Sequence, residues 1–231
     1  MNGIVAWFQQ LRFDSIFDTL LVVAASLLCI TIHETCHGLV AYWLGDPTAK
    51  RAGRLTLNPI KHVDPLGLIM MAVLKFGWAK PVPVDMRRFR KPRRDMALTA
   101  LAGPFSNLVL ALLALLLRSV VWFFFIQCQN SDLLANLVLF LEYVAILSAG
   151  LAIFNLIPIS PLDGSKIIFS LLPDRAYQWL MHYERYGMFL LLAIMALGWF
   201  DGPLITARDY LIWGMQQITA FPFYWLCNLF L

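Results

Sequence analysis

The chain has 231 residues, 60% of them hydrophobic and only 14% charged, whereas ordinary soluble domains are nearer a quarter charged. That composition excludes a soluble globular enzyme and points to a bundle of helices in lipid. The net charge of +4 would admit a nucleic-acid partner, but the basic residues are gathered in one loop, which argues against it.

Met1–Asp18 carries Arg12, Asp14 and Asp18 before any long apolar run, so no cleavable signal peptide is expected and the first spanning helix directs its own insertion. Five apolar segments are long enough to span or nearly span: Phe17–Leu44, Met96–Gln127, Leu133–Ile157, Tyr186–Phe200 and Tyr210–Leu231. The fourth needs His182–Arg185 at the interface to complete a crossing. A shorter apolar run, Leu66–Phe76, suits a re-entrant or interfacial element. Together these predict an all-α integral membrane fold of about five to six transmembrane helices with a small membrane-associated β-hairpin or re-entrant segment. It forms a single polytopic domain over residues 1–231, with a catalytic core at about 15–172 and accessory C-terminal helices at about 184–231. The cysteines Cys29, Cys36, Cys128 and Cys227 show no CxxC pairing and no disulfide framework.

Twelve of the 18 Lys and Arg residues lie between residues 45 and 95. The positive-inside rule places that loop in the cytoplasm and the N-terminus outside. Within it, "RRFRKPRR" at 87–94 is expected to meet anionic lipid headgroups, in a prokaryotic cytoplasmic membrane. "FGWAKPVPVD" alternates as a strand does. Pro81 and Pro83 lose their amides on one edge, while Lys80, Val82 and Val84 keep theirs on the other. Such a strand docks in a β-hairpin or accepts an extended guest.

The first span contains His33-Glu34-Thr35-Cys36-His37, an H-E-x-x-H pattern. On a helix, residues four apart share a face, so both imidazoles can reach one ion, and Glu34 can lie beside the water that such an ion acidifies. Two satisfied histidines and a paired glutamate in a polar seam are the bland alternative. Each such group inside hydrocarbon costs roughly 2–3 kcal/mol, and a metal explains all three together. If the crossing begins near Thr19, His33 lies about 21 Å along it, some two-thirds of the way to the cytoplasmic side.

Two histidines leave a metal short of a third protein ligand. Asp163, in "FNLIPISPLDGSK", lies at the same depth by this topology; a turn-forming Asp-Gly at a helix end explains it equally well. Likewise, Asn107 after Gly103-Pro104 could hold a substrate carbonyl or an oxyanion, or make an interhelical hydrogen bond on a small-residue surface.

Together, "HETCHG…LGDPTAKRAGRLTLNPIKHVDPLG", "FGWAKPVPV", "AGPFSN" and "NLIPISPLDG" resemble the site-2 protease family of intramembrane zinc metalloproteases, over about Thr31 to Ile168. The compact subgroup without PDZ or CBS modules is the nearest match. The resemblance implies one Zn²⁺ per chain on His33, His37 and Asp163, with Glu34 as the catalytic glutamate. It implies that Asn107 acts on the substrate or transition state and that Asn155 opens the proline-rich ligand motif. The region Trp78–Val84, including Lys80, Val82 and Val84, resembles a β-hairpin proposed to engage unwound substrate. The expected activity is hydrolysis of peptide bonds within transmembrane segments of protein substrates. Rival readings are a zinc-binding pseudoprotease scaffold, which would be expected to lose Glu34 first, and a membrane metal transporter. A transporter needs polar residues through several spans, and the outer halves of these spans are nearly devoid of ligands apart from Arg118. For His62, in "NPIKHVDPLG", a structural hydrogen bond is preferred to a role beside the metal or substrate.

Overall fold

The computed structural model describes residues 16–64, 80–127 and 131–230. The described residues form eight α-helices: α1 (Ile16–Trp43), α2 (Thr48–Arg51), α3 (Pro92–Gln127), α4 (Asp132–Asn155), α5 (Asp163–Ser170), α6 (Asp174–Ala196), α7 (Asp201–Thr219) and α8 (Phe221–Phe230). Two short 3-10 turns, Pro59–Lys61 and Met86–Arg88, precede α3. By length and composition, α1, α3 and α4 can each cross a membrane, and Tyr186–Met195 within α6 is a shorter apolar stretch. The expected terminal span Tyr210–Leu231 is divided instead, because Pro222 near the start of α8 has no N–H to continue the ladder from α7.

No β-hairpin occurs among the described residues. Lys80–Val84 is an irregular loop whose amides at Lys80 and Val82 are taken by His62 and Glu34; with prolines at 81 and 83, no ladder forms. Leu66–Phe76 and Trp78, which the sequence reading gave to a re-entrant or hairpin element, lie outside the described residues.

The chain divides into two compact units. The first holds the chain up to Cys29, Asn107–Phe154 and Leu192 onward. Its core joins Val22, Ala25 and Cys29 of α1 to Ala111, Ala114 and Leu115 of α3, Tyr143–Ala145, Leu147 and Ala149 of α4, and Ile212 of α7. Ala25, Ala111, Ala145 and Ala149 are wholly buried, and such small side chains let apolar helices approach closely where lipid offers no hydrophobic drive. Polar contacts cross this core: Ser148 donates to Cys29 Sγ at 3.4 Å, Cys29 donates to the Val144 carbonyl, and Arg118 pairs with Glu142.

The second unit holds Ile30–Ser106 and Asn155–Leu191. α1 ends in a Schellman motif: Gly45, at φ 108°, lets the amides of Gly45 and Asp46 return to the carbonyls of Tyr42 and Ala41. α2 ends the same way, with Gly53 at φ 64° and the Arg54 amide on the Ala49 carbonyl at 2.9 Å. These reversals turn Asp46 and Arg54 inward, where both are buried. Asn58 caps the following 3-10 turn through Oδ1, which accepts the Ile60 amide at 3.1 Å, and Pro59 occupies the first position, where no N–H is needed. His62 is buried with Nε2 2.9 Å from the Thr56 carbonyl, a structural hydrogen bond.

Candidate metal centre

Two stretches far apart in sequence meet in the second unit. His33 and His37 stand one turn apart on α1, and Asp163 is the first residue of α5. His33 Nε2 lies 3.0 Å from His37 Nε2, and each lies 3.1 Å from Asp163 Oδ2. The two rings meet edge to face, at 87°. All three residues are buried. Asp163 at a helix start also sits where the backbone dipole favours negative charge.

His37 Nδ1 is 2.7 Å from the main-chain carbonyl of Thr99. That carbonyl can only accept, so Nδ1 carries a proton and Nε2 is the ring atom turned toward the other two ligand atoms. Two imidazole nitrogens and a carboxylate oxygen at this spacing could hold a metal ion among them. Around a tetrahedral zinc with bonds of about 2.0–2.1 Å, ligand atoms stand roughly 3.3 Å apart. The observed triangle fits such an ion, and N, N, O is a donor set suited to zinc. The backbone leaves room for this triangle: a Cβ on Gly103 of α3 would fall 2.4 Å from His37 Nε2.

Glu34 lies beside the first ligand and lines the same cavity, whose volume is about 320 Å³. Its Oε2 accepts the Val82 amide at 2.9 Å. The walls include Pro81, Val82, Val84, Met96, Thr99 and Asn155, together with the ligands and Lys166. Of the residues expected from sequence, the structure therefore gathers His33, Glu34, His37, Asp163, Asn155, Val82 and Val84 around one space. Lys80 is exposed, and its amide is held by the His62 carbonyl at 3.0 Å. Asn107 belongs to the first unit, where it is fully buried on α3.

Sequence reasoning missed four contacts: the Thr99 carbonyl on His37, the fit of Gly103 against the rings, Lys166 in the cavity wall and the pairing of the Val82 amide with Glu34. Lys166 follows Asp163 by three residues on α5, a spacing that puts it on the same face, and this was visible in the sequence. The other three act through main-chain atoms or a missing side chain, and leave no residue-type signal.

The family model for peptidase family M50 matches residues 117–197. The chain is 40% identical over 200 residues to "Putative zinc metalloprotease YwhC" of Bacillus subtilis (strain 168), an alignment covering 84% of each chain. It is 28% identical over 243 residues to "Putative zinc metalloprotease Rip2" of Mycolicibacterium smegmatis, covering 97% of this chain and 90% of the relative. The relative of the same name in Mycobacterium tuberculosis (strain H37Rv) is 27% identical, over 90% of this chain and 82% of its own. No solved structure matches the chain.

Proposed function

The chain belongs to peptidase family M50, the site-2 protease family, and from that premise we propose that it is a zinc metalloendopeptidase cleaving peptide bonds within transmembrane segments of other membrane proteins. The observation that carries this reading is the convergence of His33, His37 and Asp163 beside Glu34 in one cavity. The relatives named as zinc metalloproteases support the choice of ion.

His33, His37 and Asp163 would hold the zinc. Bound there, it supplies a Lewis acid for the scissile carbonyl and lowers the pKa of a water molecule. Glu34 takes a proton from the attacking water and delivers it to the departing amine. Thr99 keeps His37 in the tautomer that presents Nε2. Burial of the ligands keeps bulk water from competing for these contacts.

A transmembrane helix hides its peptide bonds in internal hydrogen bonds, so the guest must unwind before a bond reaches Glu34. Val82, Val84 and Asn155 line the cavity and would meet the opened segment. By the positive-inside rule the loop 45–95, and with it the site, would lie on the cytoplasmic side. Arg87, whose side chain is 95% exposed, and its basic neighbours then face anionic headgroups.

The test is reconstitution. Purified chain with one bound zinc cleaves a model transmembrane peptide carrying a central helix breaker; chelation stops cleavage, and stoichiometric zinc restores it. Cleavage indifferent to chelation, with the metal shown to be gone, would exclude the metallopeptidase reading.

A further inference from the structure

A carboxylate that takes a proton from water works best when held in one orientation. The two oxygens of Glu34 are treated differently: Oε2 accepts the Val82 amide at 2.9 Å, and among the described residues no protein group donates to the other. The segment that delivers this amide is fixed on both sides. The Lys80 amide donates to the His62 carbonyl at 3.0 Å, and the Asp85 amide to Asp46 Oδ2 at 2.7 Å. The buried guanidinium of Arg54 points Nη2 at the carbonyls of Lys80 and Pro81, at 3.5 and 3.4 Å. The Val82 side chain seats against Gly38, one turn beyond Glu34 on α1, where an added Cβ would stand 3.1 Å from Val82 Cγ1 and 2.7 Å from Leu55 Cδ2.

We propose that the main-chain amide of Val82 is the positioning group for Glu34, and that Arg54 is the positioning residue that keeps it there. One carboxylate oxygen is anchored and the other is left facing the cavity for the proton it must accept. Pro81 and Pro83 have no N–H, so Val82 supplies the one amide of this three-residue stretch, and it goes to the base. A guest peptide therefore cannot pair with that amide while Glu34 is in place, and meets the segment through the side chains of Val82 and Val84. The inference rests on the protease reading above.

Two measurements test it, one independent of activity. Hydrogen–deuterium exchange of the full chain follows the segment Lys80–Met86, in which the prolines leave few amides. Besides the amides of Lys80 and Asp85, held by His62 and Asp46, one further amide is expected to be protected in the wild type and to exchange at least about tenfold faster in Glu34→Ala. Equal exchange in the two proteins would overturn the proposal. In the cleavage assay on zinc-loaded protein, Val82→Pro, which deletes the donor together with a side chain that meets the guest, is expected to lower kcat by about 10²-fold, whatever the accompanying change in KM. Arg54→Ala should lower kcat less, and Arg54→Lys should recover part of that loss. An increase in KM alone, or a rise in kcat, would overturn it. A wild type that cleaves nothing defeats the protease reading, and the exchange experiment still decides whether Val82 holds Glu34.

Discussion

Gly103 lies directly against His37: a Cβ added there would stand 2.4 Å from Nε2 and 2.5 Å from Cε1, and 2.6 Å from Cε1 of His33. Both rings are buried, and Thr99 holds one of them from behind, so neither can yield without giving up its ligand position. Gly103→Ala is therefore expected to drop zinc from one per chain to a small fraction in purified protein, read by elemental mass spectrometry. Full zinc occupancy in that variant would mean that the imidazoles do not need their present positions.

Gly164 makes a comparable demand on the other ligand. Its added Cβ would meet the Leu156 carbonyl oxygen at 2.3 Å and carbon at 2.4 Å, which are backbone atoms and cannot rotate away. Gly164→Ala should displace the start of α5, and with it Asp163. The expected cost is about 1–3 kcal/mol of stability and a zinc affinity weakened about tenfold or more. Thermal melting and competitive zinc titration check both.

Much of the site was legible in sequence because it depends on local spacing. His33 and His37 share a face by helical geometry alone, and Asp163 is marked by the proline-rich stretch that ends α4 before it. What escaped depends on contacts between distant residues. The alternation in "FGWAKPVPVD" and the loss of donors at Pro81 and Pro83 correctly gave the pattern of available amides. Over the described residues Lys80–Asp85 no paired strand forms, because the acceptor for Val82 is a glutamate 48 positions earlier, and no local periodicity encodes that. The membrane helices α1, α3 and α4 follow from long apolar runs, whereas the last predicted span was divided by a single proline. His62 resolved into a hydrogen bond to the Thr56 carbonyl, a partner its neighbours in sequence do not announce.

Arg118 and Glu142 form an ion pair in the first unit, with side chains 31% and 26% exposed. Removing one partner leaves a charge among apolar helices, while replacing both removes the problem. Arg118→Met is expected to lower stability in detergent by about 2 kcal/mol, discounted for partial exposure. Arg118→Met with Glu142→Leu should recover most of it. A double variant whose destabilisation equals the sum of those of Arg118→Met and Glu142→Leu made singly would show that the pair carries no coupling.

The proposed topology has a direct check at Arg87, whose side chain extends into solvent. With the native cysteines replaced, Arg87→Cys should react with a membrane-impermeant maleimide in inverted vesicles and not in intact cells. Labelling in intact cells would reverse the orientation.

The central claim is that Glu34 serves as the proton acceptor beside a metal held by His33, His37 and Asp163. The most direct measurement compares wild type with Glu34→Gln on a model transmembrane substrate, with zinc content determined on the same samples. The account predicts that Glu34→Gln keeps one zinc per chain and loses cleavage by about 10³-fold or more. Cleavage by Glu34→Gln at the wild-type rate would contradict it.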